Sequence, residues 1–261
     1  MPSHDLQKIL NNKTLGSSEL TRMLNKYFLS IRKNPSEFSR SIKVVKKRLE
    51  HFEEVNSYLN DLNSILQNND SKRLNQFLRS YSKQEEEKIQ LIFDRIYPEV
   101  KKMKSVITLS RSGTVIGILK RWYKKNKNLK VIVCESRPKF EGRLTAKDLL
   151  KVGVNVELIT DAMMGIYTEK VDFAIIGADS ILKNGNVINK VGSKALALFC
   201  LEKLKPFCVV STKSKKSKKI TFKPKNEEPA EVWKKKQKNL KVSNFYFEQV
   251  DNNLITKIFT D

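Results

Sequence analysis

The chain reads as an α/β protein in two parts, an N-terminal helical domain over residues 1–104 followed by a parallel-sheet domain over residues 105–261. Three observations predict this. Apolar residues recur at helical spacing up to about residue 100, short β-branched runs take over from Ser105, and helical stretches then alternate with those runs. Such alternation, joined by right-handed crossovers, gives a parallel sheet covered by helices on both faces.

The helical part starts at Ser17. Leu20, Met23, Leu24, Tyr27 and Phe28 form one apolar stripe, and Ile42, Val45, Leu49 and Phe52 form another, both suited to packing helix on helix. Ser17 or Ser18 is placed to cap the first helix. Asn68, Asn69, Asp70 and Ser71 separate two later helices, and Leu74, Phe77 and Leu78 lead into the last one. Pro98 and the basic stretch 101–104 mark the boundary. Nothing in this first part has the residue types of a catalytic constellation. In the second part, strands are expected over 106–109, 131–134, 156–159, 172–176 and 207–210, with helices over 114–125, 145–152 and 194–203 between them. The Gly-x-Gly-x-x-Gly fingerprint is missing, so no dinucleotide cofactor is expected.

The most informative stretch is 177–193, GADSILKNGNVINKVGS, which follows the apolar strand 172–176 and leads toward a helix. Gly177 lets the chain bend and another group approach closely. Asn184 and Gly185 read as a turn. Asp179, Asn189 and Lys190 bring a carboxylate, an amide and an ammonium to the strand end, where open α/β sheets bind ligands. The residues that follow the other strands complete a candidate site: Ser110, Arg111 and Ser112; Glu135 and Arg137; Asp161; and Lys213. Ser112, Gly113 and Thr114 open a helix directly after a strand, which points free N–H groups at the crevice and suits a phosphate. Arg137 and Arg143 are candidates to grip a second phosphate with their planar forks.

The 177–193 segment, together with 135–146 (ESRPKFEGRLTA), resembles the family of translation initiation factor 2B alpha, beta and delta subunits. That family also contains methylthioribose-1-phosphate isomerase and ribose-1,5-bisphosphate isomerase. The resemblance runs from about Val106 to the end, where 244–261 is similar to the family's closing strand pair, and it implies a Rossmann-like sheet domain. In the isomerases it implies, an Asp equivalent to Asp179 works beside a cysteine, exchanging protons as an aldose phosphate becomes a ketose phosphate. Burial in an apolar pocket would raise the pKa of Asp179 and keep it protonated as a general acid. Here Thr108-Leu109-Ser110-Arg111 replaces the isomerases' Thr-His-Cys-Asn, so Ser110 stands where the thiol would be, and a hydroxyl is a far weaker acid and base. The resemblance therefore implies a regulatory or scaffold protein with a vestigial sugar-phosphate pocket. The alternative it leaves is a ribose-phosphate isomerase with Asp179 as the acid and Ser110 or a water as partner. It also implies a homodimer or a hetero-oligomer with related subunits, and initiation factor 2 as a partner. Phe245, Phe247, Leu254, Ile255, Ile258 and Phe259 are candidates for the contact, or else edge strands.

Bulk composition narrows the rest. The chain has 51 Lys and Arg against 28 Asp and Glu, a formal charge of +23, which favours anionic partners and says nothing of fold. The lysine runs 213–219 and 234–238 carry neither aromatics nor arginines within them. They read as a solvated surface, with nonspecific contact to RNA phosphates as the further option. Cys134, Cys200 and Cys208 lie in apolar contexts and read as reduced core thiols. His4 and His51 are the sole histidines, which gives little support to a metal site. No run approaches membrane-spanning length and the start lacks signal-peptide character, so a cytoplasmic protein is expected.

Overall fold

The computed structural model describes residues 3–12, 15–68, 70–235 and 237–261; Asn69 of the helix-separating turn and Lys236 of the second lysine run lie outside them. Five helices come first: α1 (His4–Leu10), α2 (Ser17–Ile31), α3 (Pro35–Arg48), α4 (Glu53–Gln67) and α5 (Ser71–Val100). Their apolar stripes meet in one core that includes Leu20, Leu24, Phe28, Phe38, Val45, Tyr58 and Leu62. Asp70 caps α5 by accepting the Arg73 N–H at 2.8 Å, as the turn chemistry there requires.

Three details of this layer differ from expectation. Residues 4–10 form α1, whose short stripe of Leu6 and Ile9 is too brief to stand out from sequence. The cap of α2 is Gly16, without a side-chain bond; the hydroxyls of Ser17 and Ser18 instead turn inward to the carboxylate of Glu54. Pro98 lies inside α5, which runs on to Val100. That helix is 30 residues long, and its two halves serve different cores. Leu74, Leu78 and Tyr81 pack with the helical layer, whereas Ile89, Ile92, Phe93, Ile96 and Val100 pack on the sheet.

The sheet strands are β1 (Ser105–Thr108), β2 (Lys130–Cys134), β3 (Asn155–Ile159) and β4 (Phe173–Ile176). A small antiparallel unit follows, β5 (Ser180–Ile181) and β6 (Val187–Lys190), and then β7 (Phe207–Val210), β8 (Phe247–Val250) and β9 (Lys257–Phe259). The connecting helices are α6 (Gly113–Lys125), α7 (Glu141–Leu150), α8 (Met164–Thr168) and α9 (Ser193–Glu202). Six strands form a parallel sheet in the order β3-β2-β1-β4-β7-β9. Strand order reverses between β1 and β4, the switch point at which doubly wound sheets hold their ligands. Successive side chains serve opposite faces: Val106, Val131 and Phe173 face the core under α5 and α6, while Ile107, Ile132 and Ala174 face the core under α8 and α9.

The segment after β4 is the main departure. It is a hairpin closed by Asn184 and Gly185, the latter at φ 84°, so Asn189 and Lys190 sit on a strand. The strands of 244–261 do not pair with each other. β8 joins β6 in a three-stranded antiparallel sheet, and β9 joins β7 at the edge of the parallel one. Most of the apolar residues near the end are consumed by these roles. Phe247 packs edge-on to Phe52, Phe259 is buried, and Leu254, Ile255 and Ile258 pack against the α9 core, which leaves Phe245 exposed. Among the described residues no helix is long and apolar enough to cross a membrane.

Trp122 of α6 is fully buried with its ring centroid 5.5 Å from that of Phe173, and its indole N–H has no hydrogen-bond partner among the described residues. Truncation and ring replacement should therefore diverge. Trp122→Ala should cost about 3–5 kcal/mol by chemical denaturation, whereas Trp122→Phe, which also removes the unpartnered donor, should cost less than about 1.5 kcal/mol.

Candidate functional site

A cavity of about 260 Å³ lies between the helical layer and the carboxyl ends of β1 and β4. Gly16 and Ser17 come to it from the start of α2, Arg48 and His51 from the α3–α4 corner, and Ser110–Gly113 from the turn after β1. Asp179, Asn189, Lys190, Lys215, Lys225 and Tyr246 complete its polar wall. It therefore exists only where the helices cover the switch point.

The turn after β1 is fixed by its own backbone. Ser110 adopts φ 63°, a left-handed conformation uncommon for a residue with a side chain. Its N–H donates to Ser136 Oγ at 2.6 Å, and its carbonyl accepts from the Thr145 hydroxyl at 2.8 Å, so two bonds hold it there. Ser112 Oγ accepts the Val115 N–H and caps α6. A Cβ on Gly177 would lie 2.4 Å from that same Oγ, so glycine there lets the end of β4 and the start of α6 touch. Arg111 is committed to Glu19 and, at 2.9 Å, to Asp148.

Two buried ion pairs flank the cavity. Lys190 donates to Glu141 Oε1 at 2.6 Å, with the Tyr246 ring 4.9 Å away. Glu54 Oε2 accepts from Ser17 and Ser18 at 2.8 Å each and lies 3.4 Å from Lys215 Nζ. Asn189 donates to Ser193 Oγ at 2.9 Å. Asp179 sits among these groups, half-buried, its N–H bonded to the Ile188 carbonyl but its carboxyl in no hydrogen bond among the described residues. Desolvation pushes that carboxyl up to about 6; Lys215 and Lys190 pull against the shift, while Glu54 and Glu141 reinforce it.

The structure thus brings Ser110, Arg111, Ser112, Gly113, Asp179, Asn189 and Lys190 to one cavity. It does not bring Glu135, Arg137, Arg143 or Asp161 there. Arg143 donates to Glu135 at 2.6 Å, and the guanidinium carbons of Arg137 and Arg143 stand 4.9 and 3.9 Å from the Phe140 ring centroid. The carboxylate of Asp161 accepts the N–H groups of Ser136 and Arg137. These four residues brace the turn between β2 and α7, so the expected second phosphate grip is not formed at the cavity. Lys213 is exposed and lies outside it too.

Sequence reasoning missed Lys215, Glu54, Glu141 and the α3–α4 corner. Glu54 had a signal. It stands on the buried stripe of α4 with Val55, Tyr58, Leu59 and Leu62, where a carboxylate needs buried partners. Lys215 had none, because one buried lysine within a lysine run looks like its neighbours.

A sheet of this order, covered by helices on both faces and with a charged cavity at its switch point, is a doubly wound α/β fold. The family model of the initiation factor 2 subunit family matches residues 4–261, and the chain belongs to that family. It is 42% identical over 118 residues to a translation initiation factor eIF-2B subunit 2-like protein of Pyrococcus furiosus, covering 45% of this chain and 43% of that protein. It is 31% identical over 163 residues to the ribose 1,5-bisphosphate isomerase of Methanocaldococcus jannaschii, covering 60% of this chain and 53% of that one. These matches span about half the length of the curated relatives. In fold, the chain is similar to the Pyrococcus horikoshii translation initiation factor eIF-2B, with a TM-score of 0.81 at 24% identity over 98% of this chain and 93% of that one. It is also similar to a chain of the tetrameric eIF2B-beta2-delta2 complex of C. thermophilum, with a TM-score of 0.79 at 12% identity over 100% of this chain and 92% of that one.

A carboxyl that titrates near 6 when folded and at 3.8 in its ordinary state binds more protons in the native protein between those values. Its effect on stability is least unfavourable at acid pH and becomes a penalty as pH rises from about 4 to about 6. Asp179→Asn should therefore be more stable than the parent at pH 8, by up to ~3 kcal/mol, with the gap closing by pH 4. Urea denaturation at the two pH values measures it, and equal stability at pH 8 would contradict the electrostatics of the cavity.

Proposed function

We propose that this chain is a regulatory or scaffold subunit of its family whose cavity binds a phosphorylated, hydroxyl-bearing metabolite without isomerising it. The observation that carries this reading is the absence of a thiol at the cavity. Cys134, Cys200 and Cys208 are all buried in the sheet cores, and burial pushes each thiol up, Cys200 to about 12 and Cys208 to about 11. At neutral pH none is a ready proton carrier. Ser110 offers a hydroxyl whose ordinary acidity is far too weak for the same work.

Binding chemistry is better supplied. The N-terminal turn of α6 with Ser112 and Gly113 offers N–H groups to a phosphate. The ammonium groups of Lys190 and Lys215 have N–H donors beyond those engaged by Glu141 and Glu54, and Asp179 and Asn189 offer acceptors and donors to sugar hydroxyls. The raised pKa of Asp179 makes its charged form an expected cost to the fold at neutral pH, one that a hydrogen-bonding ligand would offset. Within the cell we place the protein in the cytoplasm, assembled as a homodimer or with related subunits, with initiation factor 2 as a candidate partner.

A second reading has one specific observation behind it. A carboxyl titrating near 6 is poised for general acid catalysis, so a ribose-phosphate isomerase that uses Asp179 with Ser110 or a water is the rival.

Thermal-shift measurements with ribose 1,5-bisphosphate, methylthioribose 1-phosphate and nucleoside monophosphates test the binding claim. A true ligand at a hundred times its Kd should stabilise the fold by about 2.7 kcal/mol. No shift with any of these sugar phosphates would sink it. Coupled assays on the two ribose phosphates should show no turnover, and turnover abolished by Asp179→Asn would establish the rival. Sedimentation velocity at micromolar concentration should show a dimer; a monomer alone would remove the homodimer.

A further inference from the structure

The segment 213–246 is long and mostly irregular, interrupted by the 3₁₀ turns Lys213–Lys215 and Pro229–Glu231 and by single bridges at Lys216 and Asn226. It is nonetheless held against the body of the protein. Ser217 donates to Glu53 at 2.9 Å and Glu231 pairs with Lys139 at 2.6 Å, while within the segment Asn244 donates to the Glu228 carbonyl at 2.8 Å. The result is a strap that passes the mouth of the cavity, where Lys225 joins Arg48 and His51.

Its charge is only partly compensated, with twelve lysines against Glu227, Glu228 and Glu231. Lys213, Lys216, Lys218, Lys223, Lys234 and Lys235 are exposed and in no ion pair among the described residues. Glu231 is already engaged by Lys139 and Tyr246. The field reaches inward: His51 is held below its ordinary value, first by burial and then by the charge of Lys225. Like charges crowded on one segment repel, so a polyanion laid along it relieves a cost the free protein bears.

Aromatic rings decide which polyanion. Trp233, directly before Lys234 and Lys235, is 49% exposed, and Phe245 is 39% exposed on the same strap. Rings of this kind among lysines suit bases that stack while phosphates meet ammonium groups. A membrane surface would favour an amphipathic helix, which this irregular segment does not form. An acidic protein would bury such rings as well, and it is the alternative that displacement by polyglutamate tests. We propose that the strap 213–246 binds single-stranded RNA, its lysines contacting phosphates and Trp233 stacking on a base. Lys215, Lys225 and Tyr246 of this strap also line the cavity, whereas Lys218, Trp233, Lys234 and Lys235, on which the RNA assignment rests, do not.

The test is fluorescence anisotropy of a labelled 20-nucleotide uridine-rich RNA with the full chain, titrated at several salt concentrations. Six phosphate contacts give a slope of log K against log salt of about −4, so affinity should fall roughly eighteen-fold when salt is doubled. The triple variant Lys218→Gln, Lys234→Gln, Lys235→Gln should flatten that slope by about 2. Trp233→Ala should weaken binding about fivefold or more at unchanged slope, while Trp233→Tyr should retain it. Unchanged circular dichroism and melting in all three variants separate lost contacts from lost folding. The proposal is overturned by no binding, by Trp233→Ala without effect, or by an unaltered slope in the triple variant. It is equally overturned if polyglutamate or phosphatidylserine vesicles, at equal charge concentration, displace the RNA as well as unlabelled RNA does.

Discussion

The carboxylate of Glu54 ties the molecule together. It is almost fully buried on α4, and burying an ion without partners would cost several kcal/mol, so the chain must bring partners to it. It does so from two directions. Ser17 and Ser18 come from the first turn of α2, and Lys215 comes from the loop after β7. The first pair sets how α2 meets α4, and the lysine sets where the helical layer meets the sheet. Everything that makes the cavity a cavity depends on that junction, because Ser110 and Asp179 belong to the sheet while its other wall belongs to helices. The long α5 reinforces the arrangement by contributing to both cores.

Within that enclosure the charged groups differ in how they are held. Lys190 and Glu141 are joined by one hydrogen bond that fixes both side chains, with Glu141 Oε2 left unpartnered, whereas Asp179 has its whole carboxyl in no hydrogen bond among the described residues. A group kept in that condition is available to whatever enters. A solved structure named for an isomerase and one named for an initiation factor share this architecture, so the fold alone does not choose between the two activities.

The fold was legible because periodicity is a local signal. The five main strands of the parallel sheet fall within a residue or so of where β-branched runs predict them, and α6 and α9 begin one residue before the predicted starts. The hairpin β5–β6 was hidden because a two-residue strand has no period to read, although Asn184 and Gly185 marked its turn. At the site, residues adjacent in sequence to a strand end were found, and residues delivered by tertiary packing were not. Arg137 and Arg143 show the reverse error. Strand-end position alone does not say whether an arginine faces the crevice or, as here, the ring of Phe140.

The last strand carries a consequence for how the chain is made. β9 is parallel to β7 and seals its outer side, yet it follows β7 only after the whole lysine-rich strap and β8. During synthesis the unpaired N–H and C=O groups of Phe207–Val210 therefore stay open while the strap emerges. An exposed apolar strand edge invites pairing with other chains until Ile258 and Phe259 arrive to cover it.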